Sequence, residues 1–309
     1  MKILLLGANG QLGRSFIEDG GLAMRGELVT TSRDGQRFDG AVIGTADLAA
    51  PDSLAALLDR VCPDVIVNTA AYTAVDRAEQ EESLATRVNG EAVGELGRWA
   101  AAHGTLVVHY STDYVFDGAA TTPYPVDAPT APLGAYGRSK LAGEQALRGG
   151  GAAHFIFRTA WVYAPHGQNF LRTMLRVGAE RDELRVVADQ IGAPTSTTLI
   201  VAGTLAALDT WRTADAVQRR ALEGTHHLVA SGHTSWHGFA TAIFDEAHAS
   251  GLLARAPRVA AIATADYPMP ARRPAWSVLD NSGFAGRFGY ALPDWKDSLH
   301  GVINTLRSN

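Results

Sequence analysis

Five short apolar runs recur in the first half of the chain, and stretches with helical periodicity separate them. The runs cover residues 3–6, 28–31, 65–68, 106–110 and 155–158. The helical stretches are a segment that starts at Gln11 and residues 53–61, 83–102 and 135–147. Alternating apolar strands and helices predict a parallel sheet with both faces covered, because each crossover places a helix on one face. We therefore predict an α/β protein with a Rossmann-type, doubly wound parallel sheet.

The second half of the chain has a looser pattern, which predicts a second lobe. Its predicted elements are a helix over 170–180, an extended segment over 184–187, a helix over 198–211, a strand over 226–229, an ordered loop or polyproline-like strip over 267–274 and a terminal helix over 294–307. We expect residues 1–163 to form a dinucleotide-binding domain to which residues 195–232 return. Residues 164–194 and 233–309 are expected to form a smaller C-terminal α/β lobe that binds the substrate.

Composition favours small molecules as partners. The chain is 46% hydrophobic and 19% charged, which indicates a globular protein rather than a disordered one. The formal net charge is -5 and no basic block occurs, so we expect no nucleic-acid or membrane partner. No apolar stretch reaches the roughly 18 residues of a spanning helix. The single cysteine, Cys62, cannot form an intramolecular disulfide, which fits a cytoplasmic location.

A glycine-rich turn follows the first apolar run. Gly7, Gly10 and Gly13 form a GxxGxxG sequence directly before the first helical stretch. Glycines permit a tight turn and let backbone amides approach a pyrophosphate, which then sits at the positive end of the helix. The position of this sequence after a strand and before a helix predicts a binding site for a nicotinamide dinucleotide.

The end of the second apolar run is expected to decide between NADPH and NADH. Ser32 and Arg33 offer donors for a 2′-phosphate, whereas Asp34 offers a carboxylate for the ribose hydroxyls of NADH. A third interpretation makes Arg33 and Asp34 solvated loop residues. We favour NADPH and keep NADH as the alternative.

Two further segments are candidates for cofactor contacts. Asp47 and Leu48 follow a predicted short strand and are placed to contact the adenine. Ala70, Ala71 and Tyr72 follow the third run, where small residues let a cofactor lie close to the backbone. Tight packing between helix and sheet is the structural alternative for these small residues.

Tyr136 and Lys140 are four residues apart and share one face of a predicted helix. A free tyrosine titrates near ~10, so it is a poor proton source at neutral pH unless a cation stabilises its phenolate. Lys140 would supply that cation, and Tyr136 would protonate a carbonyl oxygen as hydride reaches the carbon. The alternative is a surface tyrosine beside a solvated lysine.

A hydroxyl-rich segment follows the fourth apolar run and favours the catalytic interpretation. It contains Ser111, Thr112, Asp113 and Tyr114, at the sheet edge where open α/β sheets bind ligands. We predict that Thr112 hydrogen-bonds the substrate carbonyl oxygen and, with Tyr136, stabilises the developing alkoxide. The favoured function is therefore a nicotinamide-dependent reductase.

A metal site is not predicted. Four histidines, His226, His227, His233 and His237, lie close together in the sequence. However, adjacent histidines on a strand point to opposite faces, and no acid or cysteine completes a chelating set at regular spacing.

These motifs, in this order, resemble the extended short-chain dehydrogenase/reductase superfamily and, within it, the family of dTDP-4-dehydrorhamnose reductases. The resembling segments are 67–79, 111–116, 136–144, 158–163, 169–170, 189–195 and 270–274. The resemblance implies that Tyr136 is the proton donor, that Lys140 tunes it and binds the nicotinamide ribose, and that Thr112 assists at the carbonyl. It also implies a cofactor lining of Gly10, Gln11, Leu12, Asp47, Ala70, Ala71, Tyr72 and Tyr110.

The resemblance further implies a substrate site and a reaction. Substrate would meet Thr112, Asp113, Tyr114, Tyr136 and Trp161, the last as an apolar wall or, alternatively, as core filling. Asn169, Gln190, Arg272 and Arg273 add donors suited to a diphosphate, although either arginine is also readable as a solvated loop residue. The implied reaction is reduction of the C4 keto group of dTDP-4-dehydro-L-rhamnose to dTDP-L-rhamnose by NAD(P)H.

Two other functions stay open at this point. One is a sister reductase of another dTDP-4-ketosugar in a secondary-metabolite pathway. The other is a non-catalytic regulatory subunit of the kind found with methionine adenosyltransferase, although Thr112, Tyr136 and Lys140 favour an enzyme.

Some family members dimerise through a metal held by an acid in the first helix, where this chain has Ser15. We therefore expect a monomer or a weak homodimer without that metal.

Overall fold

The computed structural model describes residues 1–308 and places a seven-stranded parallel sheet at their centre. The strands are β1 (Lys2–Leu6), β2 (Glu27–Ser32), β3 (Gly44–Thr45), β4 (Val65–Asn68), β5 (Leu106–Thr112), β6 (His154–Thr159), β7 (Val162–Tyr163), β8 (Glu183–Val187), β9 (Ile191–Gly192), β10 (Thr195–Ser196), β11 (Gly224–His227), β12 (Thr234–Ser235) and β13 (Arg258–Ile262).

Helices precede or follow nearly every strand. The α-helices are α1 (Gln11–Asp19), α2 (Gly21–Arg25), α3 (Leu54–Val61), α4 (Val75–Ala78), α5 (Glu82–Thr86), α6 (Ala92–His103), α7 (Ala135–Gly149), α8 (Phe170–Glu180), α9 (Thr197–Thr213), α10 (Ala216–Leu222), α11 (Trp236–Ala249), α12 (Ser282–Phe288) and α13 (Trp295–Ser308). A π-helix spans Arg87–Glu91, and 3-10 helices span Pro51–Ser53, Asp113–Val115 and Thr264–Asp266.

The strand order confirms the Rossmann-type fold. The order across the sheet is β11-β6-β5-β4-β1-β2-β3, and every neighbouring pair is parallel. The chain runs outward from β1 in one direction through β2 and β3, and in the other through β4, β5 and β6. The strand order therefore reverses at the junction of β1 and β4, where open α/β sheets bind ligands beyond the carboxyl ends of the strands.

Strand β1 shows why the first apolar run is continuous rather than alternating. Ile3 and Leu5 belong to one core cluster, which includes Phe16 of α1 and the apolar face of α9. Leu4 and Leu6 belong to a second cluster on the opposite face, with residues of α3 and α6. Successive side chains of a strand point to opposite faces, so a strand covered on both faces buries every residue.

The predicted helix over 83–102 is interrupted in the structure. α5 and α6 are joined by the π-helix Arg87–Glu91, whose Asn89 side chain is buried. Such single π turns occur mostly at functional sites, because the wider turn re-aims one side chain. Here Asn89 turns toward the loop after β4, a contact that helical periodicity does not reveal.

The second half of the chain contains elements that the sequence pattern did not predict, namely α10, α11, α12 and β13. β13 pairs in parallel with β8, and α11 packs against both strands. The predicted strand over 226–229 is two residues early in the structure, as β11, and it joins the central sheet beside β6. α9 packs on α1.

The contacts of β11 and α9 accord with the expected return of 195–232 to the first domain, and the division into two domains stays a prediction. Asn309, the last residue of the expected second lobe, lies outside the described residues. None of the helices within residues 1–308 is both long enough and apolar enough to span a membrane.

Candidate active site

The glycine turn between β1 and α1 is built for close backbone approach. Gly7 has a φ of 86°, a left-handed conformation that favours glycine. A Cβ at Gly13 would lie 2.1 Å from the Gly7 carbonyl oxygen, so no side chain is tolerated there without movement of the backbone. A Cβ at Gly10, by contrast, would meet only Gly7 O, at 3.4 Å. Gly10 caps α1 without a side-chain hydrogen bond, so the first-turn amides are presented as an anion site.

Gln11 and Leu12, also predicted cofactor residues, lie in the first turn of α1. The Gln11 side chain accepts a hydrogen bond from Asn169 Nδ2 at 2.8 Å, and its carbonyl lies 3.0 Å from His166 Nε2. Leu12 packs against the core cluster beneath α1. The first turn of α1 is therefore fixed to the loop that precedes α8.

Asn169 was expected to donate to a substrate diphosphate, but in the structure its side chain bonds to Gln11 and caps α8. Its Nδ2 also donates to the carbonyls of Ala164 and His166, and its Oδ1 accepts from the Arg172 N–H as the N-cap of α8. The amide is thus occupied within the protein, so it braces the cofactor turn and has no spare donor for a diphosphate.

The residues expected to select the cofactor lie at the end of β2. Ser32 is buried and donates its hydroxyl to Asp34 Oδ1 at 2.8 Å. This hydrogen bond, together with one from the Gln36 N–H, lowers the pKa of Asp34. Arg33 is exposed and forms no ion pair within residues 1–308. The arginine is free for an incoming phosphate, whereas the serine hydroxyl is already engaged.

Asp47 and Leu48 follow β3 as predicted, but only Asp47 presents a polar group. Asp47 Oδ1 accepts a hydrogen bond from the Ala49 N–H at 2.9 Å, and the Leu48 side chain is buried in the second core cluster. A contact between Leu48 and an adenine would therefore have to involve its backbone.

The loop after β4 holds the predicted residues Ala70, Ala71 and Tyr72 close to the glycine turn. A Cβ at Gly7 would lie 2.7 Å from Ala70 N, which shows how closely the two backbones approach. Asn89 fixes this loop, because its Oδ1 accepts from Tyr72 N–H at 2.8 Å and its Nδ2 donates to Tyr72 O at 3.0 Å.

Asn89 also donates to the Ser139 hydroxyl of α7 at 2.9 Å, between Tyr136 and Lys140. Asn89 therefore links the loop after β4 to α7, the helix that carries Tyr136 and Lys140. The sequence analysis missed it, and an asparagine within an otherwise helical pattern was the available signal.

Thr112 and Tyr136 meet at the carboxyl edge of the sheet. Thr112 ends β5, and Tyr136 lies in the first turn of α7 with its ring edge-on to Tyr114, at a centroid distance of 5.9 Å. Burial raises the pKa of Tyr136 to about 12, and Asp113 adds to the rise when it is ionised, although the neighbouring Thr112 hydroxyl acts in the opposite direction. The phenol is therefore a fully protonated group at neutral pH. The expected softening by Lys140 is not seen, because the Lys140 amine is directed at the Tyr110 carbonyl.

Lys140 lies one helical turn beyond Tyr136 and is buried. Its Nζ donates to the backbone carbonyl of Tyr110 at 2.5 Å and lies 3.4 Å from His109 Nε2. Burial lowers the pKa of Lys140 to about 8, against the opposing charge of Glu144. The amine is held at the sheet edge in a poorly solvated position.

Two residues of β5 form the surroundings of this amine. Tyr110 contributes only its carbonyl, because its side chain points into the core and its hydroxyl lies 2.9 Å from Thr204 Oγ1. His109 was not predicted as a site residue, although a histidine within an apolar strand was a visible signal. Its Nδ1 lies 3.2 Å from Asn68 Nδ2, and burial moves the pKa of His109 well below its ordinary value.

Trp161 is the most unusual of the predicted substrate residues. Its φ is 47°, a strained conformation for a tryptophan, and its ring stacks on that of Trp236 at 3.6 Å with an angle of 5°. Gly192 lies against the ring, because a Cβ there would come within 2.5 Å of Trp161 Cε2. The indole is thus held in one orientation by α11 and β9.

The remaining predicted substrate residues are three buried or partly buried residues, Asp113, Tyr114 and Gln190, and two arginines. Asp113 is buried beside Thr112 and Tyr114 is partly buried. Gln190 is buried and donates to Thr264 Oγ1 at 3.0 Å, and Arg272 is exposed. Arg273 is paired with Asp76 at 2.8 Å. Of the two arginines, Arg272 has its guanidinium available for a ligand.

The adjacent histidines His226 and His227 each contact a backbone carbonyl of the protein. His226 Nε2 lies 2.9 Å from Leu222 O, and His227 Nδ1 lies 2.9 Å from Asp280 O. In the described part of the chain, no three His, Cys, Asp or Glu side chains are grouped so as to hold a metal ion.

Ser15 lies in α1, at the position where some family members have a metal-binding acid. The Ser15 hydroxyl donates to Thr197 Oγ1 at 2.8 Å and so joins α1 to α9.

These features define a class. A Rossmann-type sheet with a glycine turn after its first strand, and with threonine, tyrosine and lysine at its carboxyl edge, is that of a nicotinamide-dependent short-chain dehydrogenase/reductase. Within this class, the model of the family described as RmlD substrate binding domain matches residues 1–308. The chain belongs to this family, and its curated relatives include dTDP-4-dehydrorhamnose reductases.

Individual relatives match over the whole chain. The dTDP-4-dehydrorhamnose reductase of Burkholderia thailandensis is 48% identical over 100% of both chains. The crystal structure of the reductase from Clostridium acetobutylicum has a TM-score of 0.86 at 34% identity, covering 99% of this chain and 100% of that one. The reductase from Bacillus anthracis, solved in complex with NADP, has a TM-score of 0.84 at 30% identity, covering 98% of this chain and 99% of that one.

Proposed function

We propose that this protein reduces the C4 keto group of dTDP-4-dehydro-L-rhamnose to dTDP-L-rhamnose with NAD(P)H. The observation that carries the proposal is the placement of Thr112, Tyr136 and Lys140 at one sheet edge beside the glycine turn, in a chain that matches its reductase relatives over its full length. The intact catalytic set favours an enzyme over a regulatory subunit.

The glycine turn fits a dinucleotide. Gly7 and Gly13 leave no room for side chains within the turn, while the outward side of Gly10 is open above the first amides of α1. The pyrophosphate would be held by these amides, and Lys140 would hold the nicotinamide ribose. A bound reduced nicotinamide supplies the hydride that the ketone carbon accepts.

Tyr136 and Thr112 act on the ketone oxygen. A forming alkoxide is a far stronger base than a phenolate, so Tyr136 gives up its proton despite the raised pKa of its hydroxyl. Thr112 donates a hydrogen bond to the same oxygen and stabilises the developing charge.

The second half of the chain is proposed to hold the nucleotide-sugar. Trp161, fixed by Trp236, offers an apolar wall, and Arg272 offers an uncommitted guanidinium for the diphosphate. We propose the division into a dinucleotide-binding domain and a substrate lobe on the same grounds. We also propose that the protein is a monomer or a weak homodimer and that it acts in the cytoplasm.

A turnover assay tests the proposed function. Purified protein with NADPH should consume the reduced cofactor only after dTDP-4-dehydro-L-rhamnose is added, and NMR should identify dTDP-L-rhamnose as the product. Related dTDP-ketosugars at the same concentration should react more slowly. The proposal fails if the cofactor is not consumed, and faster reduction of another ketosugar would assign the protein to a sister pathway.

Arg33 is expected to determine the preference for NADPH. Replacing Arg33 with alanine should raise KM for NADPH by about 10-fold to 100-fold, because a hydrogen bond to a charged group contributes about 1.5–3 kcal/mol. KM for NADH should not change, because NADH lacks the 2′-phosphate. Steady-state kinetics with both cofactors measures the ratio.

Arg37→Ala is the matched control for this experiment. Arg37 lies in the same loop, but its guanidinium is held by Asp39. We expect its loss to leave the NADPH-to-NADH ratio as in the wild type. If KM for NADPH and KM for NADH rise equally in Arg33→Ala, Arg33 supports the loop and does not bind the 2′-phosphate of NADPH.

A further inference from the structure

Asp113 is a buried carboxyl group with an incomplete set of partners. The residue is 2% exposed, and its Oδ1 accepts a hydrogen bond from Thr112 Oγ1 at 3.0 Å. Its Oδ2 is buried and has no hydrogen-bond partner within residues 1–308. A buried carboxylate ordinarily needs partners for both oxygens, so this arrangement disfavours the charged form.

The electrostatic surroundings of Asp113 point the same way. Burial raises the pKa of Asp113 to about 7, and the nearby Ser277 hydroxyl and the hydrogen bond from Thr112 reduce that rise. The titratable groups that face it are Tyr136 of α7 and Tyr114 of its own turn, and the Arg273–Asp76 pair lies beyond Tyr114. Lys140 directs its amine at Tyr110 O instead.

The hydroxyl of Thr112 has one proton and two lone pairs. One lone pair accepts from the Tyr114 N–H at 3.2 Å. When Asp113 is charged, the single Thr112 proton is donated to Asp113 Oδ1. A ketone oxygen can only accept, so Thr112 then has no proton to offer it.

We propose that Asp113 is a positioning residue that works as a neutral carboxylic acid and directs the Thr112 hydroxyl at the ketone. Protonated on Oδ1, Asp113 donates to the second lone pair of Thr112, which leaves the Thr112 proton free for the ketone oxygen. The inference rests on the proposed function, because it assigns Asp113 a part in ketone reduction.

Loss of the Asp113 proton would weaken catalysis in two ways. Thr112 would turn its proton back to Asp113, and the new negative charge would raise the pKa of Tyr136. Both effects oppose stabilisation of the alkoxide. Activity is therefore expected to fall as the solution becomes alkaline.

The test compares the pH dependence of kcat/KM in the wild type and Asp113→Asn. The asparagine amide donates to Thr112 as the neutral acid does, so the variant should keep most of its activity in weakly acidic solution. The ratio of variant to wild-type kcat/KM should then rise about tenfold for each pH unit above the wild-type midpoint. Groups common to both proteins, Lys140 included, cancel in this ratio.

Two further variants separate this role from simple packing. Asp113→Ala removes the donor and should lose activity by about tenfold or more below the wild-type midpoint, where the wild-type carboxyl group is neutral. Ser277→Ala removes a nearby hydroxyl that favours the carboxylate form and should move the wild-type midpoint to higher pH. A ratio that does not change with pH, or an Asp113→Asn variant as impaired as Asp113→Ala, would overturn the inference.

Infrared difference spectroscopy supplies a readout that needs no turnover. Raising the pH through neutrality should remove a carboxylic C=O band in the wild type, and this change should be missing in Asp113→Asn. No such band would sink the inference even if the enzyme is active. Absence of turnover by the wild type would instead refute the proposed function, while the band still decides the protonation state of Asp113.

Discussion

Replacing Tyr136 with phenylalanine is expected to lower kcat by about 10²–10⁴-fold, the usual contribution of a positioned proton donor. The ring of phenylalanine preserves the edge-on contact with Tyr114 and the packing of α7. Only the hydroxyl that faces Thr112 is lost. The affinity for the dinucleotide should stay the same, because no predicted cofactor contact uses the phenol oxygen. Stopped-flow kinetics and a cofactor titration measure the two quantities.

Tyr163→Phe is a matched control for this substitution. The Tyr163 hydroxyl is buried in the core and has no hydrogen-bond partner in the part of the chain that the structure describes. Its removal should leave kcat unchanged and keep or increase the stability of the fold. Full activity of Tyr136→Phe would remove Tyr136 from the chemistry and with it the proposed mechanism.

Replacing Arg158 with methionine is expected to reduce the free energy of unfolding by about 3–5 kcal/mol, because it strands a buried charge. Arg158 and Glu144 are both buried and form two hydrogen bonds, at 2.9 and 2.8 Å. The Ser111 hydroxyl donates to the same carboxylate at 2.6 Å. The pair joins β6 to α7 one turn beyond Lys140, so it fixes the helix that bears Tyr136 and Lys140. Urea denaturation measures the loss.

The pH dependence of this loss follows from the carboxyl group. Burial raises the pKa of Glu144, but Arg158 and Ser111 outweigh burial and lower it overall. The pKa of Glu144 is therefore lower in the folded protein than in the unfolded chain. The stability that this difference contributes is fully present above the pKa of the unfolded chain, and it is lost as the pH falls through the pKa of the folded protein. Without Arg158 the pKa of Glu144 rises, so the difference between variant and wild type should shrink in acid.

Two comparisons complete the experiment. Arg138 forms an exposed pair with Glu82, so Arg138→Met should cost less than about 1 kcal/mol. A double variant with Glu144→Leu and Arg158→Met should regain most of the stability, because no buried charge is left unpaired and Arg148, which also contacts Glu144, is exposed to solvent. A single variant as stable as the wild type would show that the pair does not hold α7.

The predicted site residues differ in how well their local sequence indicates their role. Gly7, Gly13 and Tyr136 were assigned from backbone geometry or helix position, which neighbouring residues determine. They lie in the turn after β1, in α1 and in the first turn of α7, and their roles stay predictions. Asn169 was assigned through its side-chain amide, and that amide is used elsewhere. The partner of a polar side chain comes from a distant part of the chain, so it is invisible in a local pattern.

The sequence by itself determined the sheet, the cofactor turn and the face of α7 that carries Tyr136 and Lys140. Strand and helix periodicities are local, and buried strands between helices allow few arrangements. Tertiary structure alone decided that Asn89 connects the loop after β4 to α7, that Arg273 is paired with Asp76, and that Asp113 is buried with one oxygen unpartnered. Burial sets these charges and hydrogen bonds, and burial is a property of the packed molecule.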